Sequence, residues 1–284
     1  DSVTFSGYGK TCIAGLNSRN ISINSSVLND GIYGTVLNDC QNVNISKSLI
    51  VDNAELYYQK SSDVHYVANT IKILGFNVPE LIFVEGGSIE MLDETIIPPP
   101  KPAYLTSESF KMSKKEITFD QYDSFCLATN KGLPDDSEWG RGARPVINIS
   151  FDDAELYCKW LSELTGKKVR LPNVTEWEFA ARGGLKGGDD NAYSGNSLLE
   201  PVAWCKYNTN GMTEPVGLKT PNELGLFDMS GNVFEYCSSI NDSMIVLKGG
   251  SWANSGVGCR VGDEVVSKVN HWDDNIGFRI VQGD

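Results

Sequence analysis

The chain has 284 residues, 40% hydrophobic and 21% charged, with a formal net charge of −13. No apolar run approaches the roughly eighteen residues of a membrane-spanning helix, and the acid excess argues against a broad electrostatic face for nucleic acid or an anionic membrane. Seven cysteines at 12, 40, 126, 158, 205, 237 and 259, with no CxxC pair and only His65 and His271, argue against a structural zinc site; scattered singly, they read as core thiols.

From the start to about Thr70 the chain carries a weak repeat. Asn20-Ile21-Ser22-Ile23 returns as Asn42-Val43-Asn44-Ile45 and as Asp63-Val64-His65-Tyr66, at offsets of 22 and 21 residues. Each copy alternates apolar and polar residues, the pattern of a strand with one buried face. Two readings stand: stacked coils of a short β-helix, or an irregular all-β segment with chance similarity. His65 falls on a strand face with no chemical role. The opening Asp1-Ser2-Val3 has neither the basic segment nor the apolar core of a leader peptide.

Near Pro79 the texture changes, and the predicted division is a small β-rich region at 1–76 followed by a larger domain at 77–284. Leu81-Ile82-Phe83-Val84 reads as a strand. The three prolines between Ile96 and Pro102 place a surface loop there. Three capped helices follow. Thr118-Phe119-Asp120-Gln121 has capping-box spacing, with Phe119, Tyr122 and Phe125 on one face. Ser150-Phe151-Asp152-Asp153 opens the second, with Ala154, Tyr157, Leu161 and Leu164 inward and Gly166 as its stop. Thr175-Glu176-Trp177-Glu178 opens the third, which ends at Gly183-Gly184. The acids at 152, 153, 176 and 178 are read as capping and solvated groups rather than catalytic carboxylates.

Residues 183 to 222 are rich in Gly, Asn and Ser, with little period. Val233-Phe234-Glu235-Tyr236 and Met244-Ile245-Val246-Leu247 then read as strands, and a last strand is expected from Ile276 through Val281. Between Gly249-Gly250-Ser251-Trp252 and Asn275-Ile276-Gly277-Phe278-Arg279 lie some twenty residues with neither helical nor strand period. A turn of that length inside a compact domain is usually functional.

From Leu81 onward the chain resembles the formylglycine-generating-enzyme family. The likeness rests on Phe83-Val84-Glu85-Gly86-Gly87, Arg144-Pro145-Val146, Arg170-Leu171-Pro172, Glu176-Trp177-Glu178-Phe179-Ala180-Ala181-Arg182-Gly183-Gly184, Leu224-Gly225-Leu226-Phe227-Asp228-Met229-Ser230-Gly231-Asn232-Val233-Phe234-Glu235, Gly249-Gly250-Ser251-Trp252 and Gly277-Phe278-Arg279. The fold this implies is α+β: a C-type lectin fold of the formylglycine-generating-enzyme type, behind a small all-β N-terminal region.

The oxidases of that family hold two cysteines, two and seven residues past the aromatic of the Gly-Gly-Ser-aromatic motif. Here those places hold Asn254 and Cys259. A linear two-thiolate copper site needs two soft ligands, and an amide does not replace one. The resemblance therefore implies a protein that is not an enzyme and needs no catalytic cofactor, with an oxidase of that family, or a degenerate relative of it, as the alternative.

A second likeness is to the variable proteins of diversity-generating retroelements, which place their variable region at this C-terminal segment. There, adenines in Asn codons are replaced at random. Ala253, Asn254, Ser255, Val257, Gly258, Gly262, Asp263, Val265, Val266, Ser267, Asn270, His271, Asp273 and Asp274 fit such codons; Glu264, Lys268 and Trp272 do not. On this likeness the fitting residues together with Trp272 form a ligand-binding surface, with Trp272 and His271 as contact hot spots or Trp272 as core. Trp252, Cys259, Arg260, Val261, Ile276 and Phe278 are the expected anchors. The implied ligand is a protein or glycan on another cell, a host or a phage surface. The implied address is the cell surface or outside the cell, with any lipid anchor lying upstream of Asp1.

The family also implies a structural calcium ion held by Asp228 and Glu235 side chains and by the Gly231 and Val233 carbonyls. Glu235 has two other readings, a strand carboxylate facing solvent or a partner of Arg279.

Overall fold

The computed structural model describes nine short strands within residues 1–77, and residues 78–91, 103–187, 191–238, 241 and 243–283. The chain divides into two compact units, Asp1–Val78 with Asp123–Leu133, and Pro79–Tyr122 with Pro134–Asp284. The sequence reading assigns Asp123–Leu133 to the second of these instead.

In the first unit the strands are β1 (Val3–Ser6), β2 (Ile13–Leu16), β3 (Ile21–Asn24), β4 (Val27–Leu28), β5 (Thr35–Asn38), β6 (Asn44–Ser46), β7 (Ser48–Ile50), β8 (Leu56–Gln59) and β9 (Lys72–Leu74). They form three sheets, ordered β1-β3-β6, β2-β5-β8 and β4-β7-β9. All pairs are parallel except β7 with β9. Ser22 faces Asn44 and Ile23 faces Ile45, which aligns the first two copies of the sequence repeat. The third copy with His65, the proline loop at 96–102, Cys12 and Cys40 lie outside the described residues.

The second unit is α+β. Its strands are β10 (Leu81–Val84), β11 (Gly87–Met91), β12 (Ala103–Ser107), β13 (Phe110–Ser113), β14 (Val169–Arg170), β15 (Phe234–Tyr236), β16 (Met244–Lys248), β17 (Glu264–Lys268), β18 (Ile276–Gly277) and β19 (Val281–Gln282). Two four-stranded sheets, β10-β13-β19-β14 and β17-β16-β15-β18, stand beside the hairpin β11-β12. The expected single strand from Ile276 through Val281 is in fact two. Ile276 and Gly277 pair with β15, while Val281 and Gln282 pair with β13 and β14. The break lets Arg279 turn inward between the two sheets.

The helices follow local capping chemistry. At the start of α1 (Phe119–Thr129), Thr118 N–H donates to Gln121 Oε1 at 3.0 Å, and Gln121 N–H donates back to Thr118 Oγ1. Helix α2 (Phe151–Thr165) opens on the reciprocal Ser150–Asp153 box and stops at Gly166 in the left-handed conformation. Helix α3 (Val174–Ala181) is capped by Asn173, not by Thr175. Glu176 returns the bond to Asn173 N–H and also takes Arg170 through two contacts of 2.6 and 2.7 Å, so the earlier cap is held twice.

The core cluster brings Trp177 and Phe179 of α3 against Val84, Phe110 and Met112, with Leu226, Met229, Val246, Val261 and Val281 closing around them. Glu178 is not a solvated acid. It pairs with Arg182 and with the fully buried Lys248 of β16, tying α3 to the second sheet.

Candidate ligand-binding surface

Two glycines set the entrance to the 253–274 segment. Gly249 and Gly250 both have positive φ, a region costly for residues with a side chain. A Cβ on Gly250 would run into the Gly258 carbonyl, so the close return of the chain at this point requires glycine. A 3₁₀ turn at Gly256–Cys259 follows, then β17, then an irregular return to β18. The expected aperiodic loop is thus partly a strand. It shows no alternation because β17 is exposed along nearly its whole length, and neither face imposes a pattern.

What fixes this segment is mostly its own backbone. Trp252 N–H donates to Asn232 O at 2.8 Å, Val261 N–H to Ala192 O at 3.0 Å and Val269 N–H to Ser243 O at 3.0 Å. Its carbonyls accept in turn: Asn254 O from Lys206 N–H, Asp273 O from Asn148 N–H and Asn275 O from Phe234 N–H. The Tyr236 hydroxyl lies 2.9 Å from His271 O. Bonds made by main-chain groups survive a change of side chain.

The side chains divide accordingly. Ala253, Ser255, Val257, Gly262, Asp263, Val265, Val266, Asn270, His271, Trp272 and Asp273 are exposed. Asn254, Gly258, Ser267 and Asp274 are half-buried, and none of the fifteen candidates is in the core. Trp272 is 55% exposed and is not core. Cys259, Val261, Ile276 and Phe278 are buried anchors, as expected. Trp252 is half-buried and packs edge-on against Trp139 at 5.3 Å. Arg260 departs from the expectation: its side chain is exposed. One residue the sequence reading passes over is Tyr207. It follows Lys206, whose N–H reaches Asn254, and it is exposed beside the segment. Its place in an aperiodic stretch gave no signal.

The oxidase positions are chemically quiet. Asn254 Oδ1 accepts from Ser251 Oγ at 2.6 Å. Cys259 is buried against the Ser251 carbonyl, and burial, with Cys205 nearby, pushes its thiol up to about 12. Such a thiol is not a nucleophile near neutral pH. All five described cysteines are buried, and Cys158, Cys205, Cys237 and Cys259 are free thiols.

The calcium set is not assembled. Glu235 Oε2 accepts from Arg279 Nε and Trp177 Nε1, both at 2.6 Å, and Oε1 accepts from Arg279 Nη2 at 2.7 Å. Arg279 supplies the positive charge that the family reading assigned to the ion. Asp228 fits better: Oδ2 accepts from Gly217 N–H while Oδ1 is buried with no hydrogen-bond partner. With Glu235 committed to Arg279, the expected set keeps one free carboxylate oxygen together with the Gly231 and Val233 carbonyls, a poor calcium site. Among the described residues no group of three or more His, Cys, Asp or Glu is placed to hold a metal ion.

Residues 70–283 match the model of the sulfatase-modifying factor enzyme 1-like domain. The chain belongs to that family. It is 36% identical over 160 residues to the inactive C-alpha-formylglycine-generating enzyme 2 of Bos taurus, covering 49% of this chain and 50% of that protein. It is 36% identical over 113 residues to the formylglycine-generating enzyme of Streptomyces coelicolor, 35% of this chain and 33% of that one. The chain thus spans about half the length, or less, of these relatives. Among solved structures, the Treponema denticola variable protein 1 superposes with a TM-score of 0.60 at 23% identity, over 71% of this chain and 94% of that one. PvdO from Pseudomonas aeruginosa gives 0.60 at 24%, over 72% and 94%. The family fold is the formylglycine-generating-enzyme form of the C-type lectin fold. Among the described residues no helix is long and apolar enough to cross a membrane.

Proposed function

We propose that this chain is a non-enzymatic ligand-binding protein that displays residues 253–274 as a binding face diversified by a retroelement. One observation carries the reading: the segment is held by main-chain hydrogen bonds and by the buried Cys259 and Val261, while its fifteen candidate side chains are exposed or half-buried. A site built this way accepts many side chains without loss of fold, as antibody loops do on their framework. The incomplete thiol pair, Asn254 with Cys259, and the likeness to a relative named as inactive support a binding role over an oxidase. The ligand is a protein or glycan on another cell, a host or a phage, met at the cell surface or outside the cell. Sequencing the neighbouring DNA tests the diversification. The expected result is a near-identical copy of the 253–274 coding segment, differing at adenines, beside a reverse transcriptase gene. A complete locus with neither removes that part of the proposal.

The second reading is a degenerate oxidase, favoured by the retained Cys259. Oxygen-dependent turnover of a cysteine-containing peptide in the presence of copper would establish it, and no turnover is expected.

A further inference from the structure

We infer that strand β17 is a self-complementary edge at which two copies of this chain pair antiparallel about Val266. Strand β17 is the terminal strand of its sheet, hydrogen-bonded to β16 on one side only. Val269 N–H donates to Ser243 O, and Lys268 stands opposite Met244. In an antiparallel ladder hydrogen-bonded pairs alternate along the strand. Val265 and Ser267 therefore direct their backbone groups toward β16, and those of Glu264, Val266 and Lys268 face the open edge. The Lys268 carbonyl is taken by His271 N–H. The rest of that edge has no main-chain partner among the described residues.

Long open edges are usually blunted by proline, a bulge or a cover. Glu264–Lys268 carries no proline and no bulge; its protection is limited to short length and its two charged ends, and Val265 and Val266 are 45% and 50% exposed on opposite faces. The charges suggest the occupant. A two-fold axis at Val266 sets Glu264 against the second copy's lysine at 268, and Lys268 against its glutamate at 264. The same register places outward-facing backbone groups opposite outward-facing ones at 264, 266 and 268. A single register thus satisfies both the ladder and the charges. Five residues a side bury little area, so the dimer is weak. Strand β17 lies within the 253–274 face, but the pairing uses its main chain and two charges outside the candidate ligand set, so each reading can fail without the other.

Sedimentation velocity over a micromolar to sub-millimolar series tests it. The parent chain is expected to pass from monomer to dimer. Val266→Pro removes an outward N–H while sparing the hydrogen bonds to β16, and is expected to abolish the dimer in a chain that still melts cooperatively. Lys268→Glu opposes like charges twice and is expected to weaken association about tenfold at low salt. The exchange Glu264→Lys with Lys268→Glu restores it. A chain that stays monomeric throughout overturns the proposal, whatever extended peptide the edge then accepts. So does a dimer indifferent to Val266→Pro, or one that the charge exchange fails to restore.

Discussion

Arg279 grips Glu235 with two nitrogens, at 2.6 and 2.7 Å, and neither side chain has any exposed surface. The guanidinium also reaches the carbonyls of Ser113 and Phe227, so one cation joins β13, the 228–235 segment and the C-terminal strands. Glu116 and Asp228 stand close enough to act on the same charge. Arg279→Met leaves Glu235 buried and unpaired beside two further acids. The expected cost is about 3–5 kcal/mol by urea unfolding, with part of it recovered in the double variant Arg279→Met, Glu235→Gln.

Asp228 titrates against this background. Burial is the main cause that pushes its carboxyl from 3.8 up to about 6, with Glu235 adding to the rise and the Gly217 N–H and Arg279 opposing it. The native state therefore holds its proton more tightly than the unfolded chain. The stability from this group is fully present below about pH 4 and is lost as pH rises through 6. Asp228→Asn removes that dependence. Its φ of 57° also suits asparagine. Urea unfolding is expected to find the variant more stable than the parent at pH 7, by on the order of 2 kcal/mol, with no gain at pH 4. An equal gain at both values would contradict the assignment.

Much of this framework was legible in the sequence because it is local. Ser150 and Asp153, or Thr118 and Gln121, meet within one turn, so their spacing states their bond. Thr175 reads as the third cap because Thr175 and Glu178 show the same spacing as Asn173 and Glu176. What decides between them is Arg170, which holds Glu176, and Lys248, 70 residues from Glu178, which draws it away. Strand β17 was missed because periodicity records burial on one face, and this strand has little on either. Asp228 and Glu235 stand close enough to share one cation. Their charge balance depends on Arg279, 44 residues from Glu235, a pairing that spacing left as one of three options.

The division between displayed and anchoring residues makes a direct comparison. Single replacements at Ala253, Ser255, Val257, Asn270 and Trp272 alter exposed groups whose backbone is tied elsewhere. They are expected to change stability by no more than about 0.5 kcal/mol. Ile276→Ala, one residue beyond the Asn275 carbonyl that accepts from Phe234, empties part of the core and is expected to cost about 2–5 kcal/mol. Thermal melts of the six variants settle the comparison. Losses at the displayed positions equal to that at Ile276 would mean that the surface is structural.

Cys259 provides the last check, because it separates a binding protein from a weakened oxidase. Its side chain is fully buried, and burial raises its thiol to about 12. Arg260, the adjacent cation, is exposed to solvent. At pH 8 the thiolate fraction is then on the order of one in ten thousand, and access is closed as well. Alkylation followed by peptide mapping is expected to leave Cys259 unmodified in the native chain and fully modified in denaturant. Rapid labelling of the native thiol would show an open, activated cysteine at the family's redox position. The preference for recognition over chemistry at this end of the molecule would then lose its physical basis.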